Sequence, residues 1–275
     1  MRYAIISDIH GNLEALNAVI EDIKTQNVDR IICLGDIISK GCHNHECIEI
    51  IRGIADAVVK GNNDTNFTRS LDEIAEDENF DYDHFYWVQK QLSADDINYI
   101  RKLPMCCEFM LSGRLVRCFH ASPFDIKYSV FSFDDYNKKM RLFETSKYTT
   151  SKSADVILYG HIHQQGVEKF YGRTIINVGS VGNSLNLLYD DKLNNKKIND
   201  FTVAEYVILS GVDGDKLGEF GIETRSVLYD KVKELEDFKY NKEKTLYQEE
   251  LMSGRYRFPE RIHKSYFTNL QNPTK

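Results

Sequence analysis

A short apolar run at residues 3–6 stops at Ser7-Asp8, and the pattern then changes period. Leu13, Leu16, Val19, Ile20 and Ile23 recur at the three-and-four spacing of one helix face, and Asn12 stands where an N-cap is expected. A second apolar run, 31–34, closes on Gly35-Asp36; a helical stretch follows at 47–54, and a third run, 57–59, ends near Gly61-Asn62. Strand, helix, strand, helix, strand predicts a parallel α/β sheet.

Residues 68–103 break the rhythm. From Leu71 to Gln89 the chain carries seven acids and no Lys or Arg, interleaved with Phe80, Tyr82, Phe85, Tyr86 and Trp87. This stretch predicts an inserted helical cap, with Ser93 as a later N-cap. Strand-like runs resume at 115–119, 156–159, 174–178 and 203–209 without regular crossover helices, so these strands are expected to be partly antiparallel. Residues 190–200 read as a polar loop, and 227–275 as C-terminal helices.

Composition narrows the class. The 275 residues are 42% hydrophobic and 28% charged, ordinary for a globular protein, and need no disulfide to fold. No apolar run approaches the roughly 20 residues of a membrane span, and a charge arrives too early for a secretory leader. A cytoplasmic protein with reduced cysteines is expected. The net charge of −7 argues against a nucleic-acid polymer as partner, since phosphate-backbone binders carry a basic face.

The candidate chemistry lies at the strand ends. Asp8 and His10 follow the first run, Asp36 the second, Asn62, Asn63 and Asp64 the third, His120 the run at 115–119, and His161 and His163 the run at 156–159. In open α/β sheets the carboxyl ends of strands converge on one crevice. Neutral imidazole with carboxylate and amide oxygen suits divalent ions such as Mn²⁺, Fe²⁺ and Zn²⁺. Each pair alone is weak; five in order point to a metal site.

The string SDIHGN…GD…GNND…H…GHIH resembles the calcineurin-like metallophosphoesterase superfamily over roughly residues 3–183. SDIHGNLEAL, GHIHQQ and an R-x-V-x-Y-D-like stretch at 225–230 are similar to small bacterial phosphodiesterases assigned as diadenosine tetraphosphate hydrolases. The resemblance implies an α/β fold, a two-sheet β-sandwich flanked by helices. Here a domain over 1–230 would carry the cap at 68–103, and a helical extension, 231–275, would pack on it. It also implies two divalent metal ions (Mn²⁺, Fe²⁺/Fe³⁺ or Zn²⁺). Asp8, His10, Asp36 and His163 would hold the first; Asp36, Asn62, His120 and His161 the second, with Asp36 bridging. Two such ions against two carboxylates leave about two positive charges, suited to an anionic ester. A hydroxide bridging the metals would then attack phosphorus in line.

Catalytic places fall on Asn63, Asp64 and His120. Family members usually carry a proton-donating His where this chain has Asn63. An amide cannot act as a general acid, and Asp64 could do so only with a raised pKa. The expectation is therefore a phosphohydrolase for phosphodiesters or phosphoanhydrides, dinucleoside polyphosphates included. The rivals are a phosphomonoesterase or protein phosphatase of the same superfamily, and a metal-free interaction scaffold. A small phosphorylated substrate, with nucleotides among the candidates, and a homo-oligomer are the partners expected. Asn12, Lys40, Asn63 and Ser180 are substrate-contact candidates, although Asn12 could simply cap its helix. Cys42, His43, His45 and Cys47 read as a surface loop rather than a third metal site. His84 and His263 read as structural. The aromatic residues of the cap either pack it onto the body or stack a nucleobase.

Overall fold

The computed structural model describes residues 1–69, 71–75, 81–185, 203–240 and 245–254. The loop expected at 190–200 and residues 255–275, with His263, lie outside the described residues, as does Phe80. Among the described residues there are ten strands: β1 (Arg2–Ile6), β2 (Arg30–Cys33), β3 (Ala57–Val58), β4 (Cys106–Leu111), β5 (Arg114–Phe119), β6 (Val156–Tyr159), β7 (Gly166–Phe170), β8 (Arg173–Asn177), β9 (Ala204–Gly211) and β10 (Phe220–Val227). The α-helices are α1 (Leu13–Thr25), α2 (Asn44–Ile54), α3 (Asn62–Asn66), α4 (Leu71–Ala75), α5 (Tyr82–Gln89), α6 (Ala94–Lys102), α7 (Tyr136–Met140), α8 (Lys231–Glu236) and α9 (Thr245–Ser253).

The strands form two five-stranded sheets, ordered β10-β9-β1-β2-β3 and β4-β5-β6-β8-β7. In the first, β1, β2 and β3 run parallel, while β9 pairs antiparallel with β1 and β10 with β9. In the second, β5, β6 and β8 run parallel and the edges β4 and β7 are antiparallel. The sheets are thus mixed, as the missing crossover helices predicted.

Alternation along each strand builds the layers. Tyr3 and Ile5 of β1, Val207 and Leu209 of β9, Val116 and Cys118 of β5, and Val156 and Leu158 of β6 form one cluster between the sheets. Ala4 and Ile6 turn the other way and meet Leu16, Val19 and Ile23 of α1 and Ile48 and Ile51 of α2. Ile157 and Tyr159 face outward beneath Leu142 and Phe143. Arg117, fully buried on that face, donates to the Glu108 carboxylate and to the carbonyls of Glu144, Thr150 and Lys152.

The acidic-aromatic stretch is helical where described, and Ser93 caps α6 in a reciprocal box with Asp96. Phe85, Val88 and Ile100 join the cluster of α1 and α2, and Phe85 stacks on Phe67 at 5.1 Å. Tyr82 and Tyr86 stay exposed. All six cysteines are free thiols. No helix among the described residues is long and apolar enough to cross a membrane.

Candidate metal centre

The carboxyl ends of β1, β2 and β3 face those of β5 and β6 across the seam between the sheets. Five of the expected ligand residues, Asp8, His10, Asp36, His161 and His163, have φ between 50° and 66°. That left-handed backbone costs a non-glycine residue about 1–2 kcal/mol and persists only when surrounding bonds impose it. Those bonds join the strand ends: Asp8 N–H donates to Gly35 O (3.0 Å), His10 N–H to Asp36 O (3.0 Å) and His161 N–H to Asp8 Oδ2 (2.9 Å). Glycine permits the close approach. A Cβ at Gly160 would meet Ser7 and Asp8, and one at Gly61 would meet Asp36.

Three imidazoles share one arrangement. Nδ1 of His10 lies 3.3 Å from Ile38 O, Nδ1 of His120 lies 3.0 Å from Leu34 O, and Nδ1 of His163 lies 2.7 Å from Asn183 O. A carbonyl accepts only, so each Nδ1 carries the proton and each Nε2 presents a lone pair to the centre. There Nε2 of His10 and Nε2 of His163 are 3.0 Å apart. Asp8 Oδ1 lies 3.3 Å from His163 Nε2 and 3.7 Å from His10 Nε2, buried and without a hydrogen-bond donor among the described residues. Asn62 Oδ1 lies 2.9 Å from His120 Nε2 and 2.8 Å from His161 Nδ1, while His161 Nε2 faces Ser129 Oγ at 3.0 Å. Asp36 Oδ2 sits between the groups, 3.8 Å from His10 Nε2 and 3.4 Å from His120 Nε2.

So many lone pairs at such distances repel unless a cation lies among them, and the donor set fits divalent ions. Asp8, His10 and His163 form one group able to hold a metal ion, and Asp8, Asp36 and His120 another. Charge argues the same way. Burial would raise both carboxylates; the imidazoles of His163 and His120 hold Asp8 well below the usual range, while Asp36, with Asp8 beside it, is raised. Burial pushes His161 down to about 3 and His10 well below 6.5, leaving both neutral and able to ligate. His120 is raised because Asp36 and Asp8 outweigh its burial.

The centre floors a cleft of about 230 Å³ lined by Asp36, Lys40, Asn62, Asn63, His161 and His163, with Ser129, Phe131, Ile162 and Leu185. Asn63 donates to both Asp36 oxygens, from its backbone N–H at 2.8 Å and its side-chain amide at 2.6 Å. Three expected roles need correction. Asn12 is fully buried and caps α1 by accepting from Ala15 N–H at 3.0 Å; its amide donates to Gly182 O and the Tyr229 hydroxyl, leaving nothing for a substrate. Ser180 is also buried, donating to Asp8 O and accepting from Asn183 N–H. Asp64 is no proton donor to the cleft. Although burial and the Asp36 carboxylate raise its pKa to about 7, it is fully buried and accepts from the backbone N–H groups of Asp36, Ile37, Ile38 and Gly61.

His43 and His45 pair with carboxylates, Asp237 at 3.0 Å and Asp96 at 2.8 Å. Among the described residues they join no metal-binding group. His84 meets Ser39 Oγ at 2.9 Å. Sequence reasoning missed Ser129 and Phe131, which come from the unpatterned link between β5 and β6, and Asn183, whose carbonyl orients His163.

The profile of the calcineurin-like phosphoesterase superfamily domain matches residues 1–188, and the chain belongs to that superfamily. Among its relatives is the uncharacterized protein MJ0912 of Methanocaldococcus jannaschii, 32% identical over 184 residues, which cover 65% of this chain and 69% of that one. The fold is shared with a metallophosphoesterase from Sphaerobacter thermophilus (TM-score 0.64, 24% identity, 92% of this chain and 99% of that one). It is also shared with the protein PH1004 of Pyrococcus horikoshii (TM-score 0.70, 17% identity, 92% and 98%).

Proposed function

We propose that this chain hydrolyses phosphodiester or phosphoanhydride bonds of a small phosphorylated substrate with a pair of divalent cations. The observation that carries the reading is the convergence of imidazole and amide lone pairs on two buried carboxylates at the floor of a cleft. Asp8, His10, Asp36 and His163 would hold one ion, and Asp36, Asn62, His120 and His161 the other. When bound, such a pair supplies Lewis-acid chemistry, acidifying water and neutralising charge on phosphoryl oxygens.

The chain's own residues do the rest. The carbonyls of Ile38, Leu34 and Asn183 fix the tautomers of three imidazoles, so each neutral ring presents the Nε2 lone pair to the centre. Asn63, on the cleft wall, can steady a phosphoryl oxygen through its amide but cannot protonate a leaving oxygen. General-acid help is typically worth roughly 10²–10⁴-fold, so anhydrides and activated diesters suit this cleft better than Ser or Thr phosphomonoesters.

The test is Mn²⁺-dependent hydrolysis of bis(p-nitrophenyl) phosphate, with metal content measured on the same samples. Wild type should turn over, and Asp36→Asn should lose nearly all of that rate. Silence from a wild type that binds no metal would overturn the reading in favour of a scaffold. A variant keeping more than about a tenth of the rate at saturating Mn²⁺ would remove Asp36 from its bridging role.

A further inference from the structure

The described part of the C-terminal region does more than cover the body. Tyr247 and Leu251 of α9 are buried against Phe238, with Trp87 and Tyr229 packed alongside. The Tyr247 hydroxyl donates to Gly182 O at 3.1 Å. This docking carries Glu250 to the edge of the metal centre, where it is only 5% exposed. Its Oε2 accepts from Asn183 Nδ2 at 2.9 Å and lies 3.7 Å from Lys40 Nζ.

Lys40 is the one lysine or arginine lining the cleft among the described residues. Its position is imposed: Ser39 and Lys40 have φ of 83° and 62°, and the flanking backbone is tied by Ser39 N–H to Asn44 Oδ1 (2.7 Å) and Gly41 N–H to His10 O (2.7 Å). A cation built into an anion-binding cleft yet ion-paired to a buried carboxylate contributes almost no net charge at range.

We propose that Glu250 is a specificity-determining residue: by neutralising Lys40 it keeps the cleft selective for phosphoryl groups of one negative charge, as in diesters, against the dianions of monoesters. The proposal rests on the reading of the cleft as a phosphoryl site. Two divalent ions against Asp8 and Asp36 leave about two positive charges, enough for a monoanion and a hydroxide. A bare lysine would add a third and draw dianions.

The experiment measures binding by calorimetry on the full chain loaded with Mn²⁺, at about pH 8, with dimethyl phosphate as the monoanion and phenylphosphonate as the dianion. The readout is the ratio of dianion to monoanion affinity. Glu250→Gln should raise it about tenfold, Lys40→Met should lower it about tenfold, and the double variant should return it to the wild-type value. A merely structural role would shift both affinities together and leave the ratio fixed; an unmoved ratio in Glu250→Gln overturns the proposal. Should Glu250→Gln fail to fold, Glu250→Asp, which keeps the charge but draws it back from Lys40, decides by the same criterion. Opposite shifts in a protein that hydrolyses no diester would sustain this proposal while removing the hydrolase reading.

Discussion

Asp64→Asn separates two roles that the sequence alone could not. The carboxylate takes two backbone N–H groups on each oxygen: Asp36 at 2.8 Å and Gly61 at 2.9 Å on Oδ2, Ile37 at 3.0 Å and Ile38 at 3.4 Å on Oδ1. Asparagine keeps one acceptor oxygen and turns the other into a donor facing two buried N–H groups. Two hydrogen bonds to a charged acceptor, each worth about 1.5–3 kcal/mol, are lost, so the variant should be destabilised by about 3–6 kcal/mol. In urea the midpoint should fall by about 1 M or more. The damage should spread to the metal centre, because the same carboxylate holds the Asp36 turn, and Mn²⁺ affinity measured by calorimetry should fall at least tenfold. An unchanged midpoint and full metal occupancy, with turnover abolished, would refute this reasoning and return Asp64 to the role of proton donor.

Other expectations follow from the same geometry. Asn63→His adds a group able to donate a proton at a half-exposed wall position. It should leave metal content unchanged and raise turnover of a phosphomonoester with a poor leaving group by about tenfold or more, which steady-state kinetics would read. The contribution of His161 to the stability of the metal-free protein should fall as pH drops from about 7 toward 4, against the opposite contribution of the raised Asp64 carboxyl. Above 6.5 His161 is neutral folded and unfolded, whereas below it the unfolded chain takes up a proton that burial denies the folded one until about 3. Replacing His161 with Gln should flatten that part of the curve of denaturation midpoint against pH, and an identical slope in both proteins would count against the assignment.

The metal-ligating residue types were legible because each ends a strongly apolar strand, where period and composition agree. Their convergence was not. His120 and His161 approach Asn62 only because β5 and β6 lie opposite β3 across the seam, a long-range pairing that no local period encodes. Strands β4, β7 and β10 escaped notice for a related reason: they are edge strands with half-exposed, mixed sequences, such as GVEKF over Gly166–Phe170. Asn12 reads equally as cap or substrate contact in the sequence, and Ser180 and Asp64 read as site residues. Short polar side chains beside metal ligands look alike in sequence whether they face a substrate or hold a backbone turn. Only the hydrogen bonds, complete in all three, distinguish them. Glu250 had no signal, because its helix lies far along the chain from the cleft it borders.

The seam has a consequence for how the molecule comes together. Asp8, His10, Asp36 and Asn62 follow strands of the first sheet, whereas His120, His161 and His163 follow strands of the second. A cation held by both groups acts as a rivet through two plates, and the hole for it exists only after the plates are aligned. Neither sheet alone offers more than a fragment of the donor set, so an ion would bind the docked state and ignore the separated ones. Each tenfold rise in free metal above its dissociation constant would then tighten the joint between the sheets by about 1.4 kcal/mol, making cohesion of the sandwich a running measure of the metal around it.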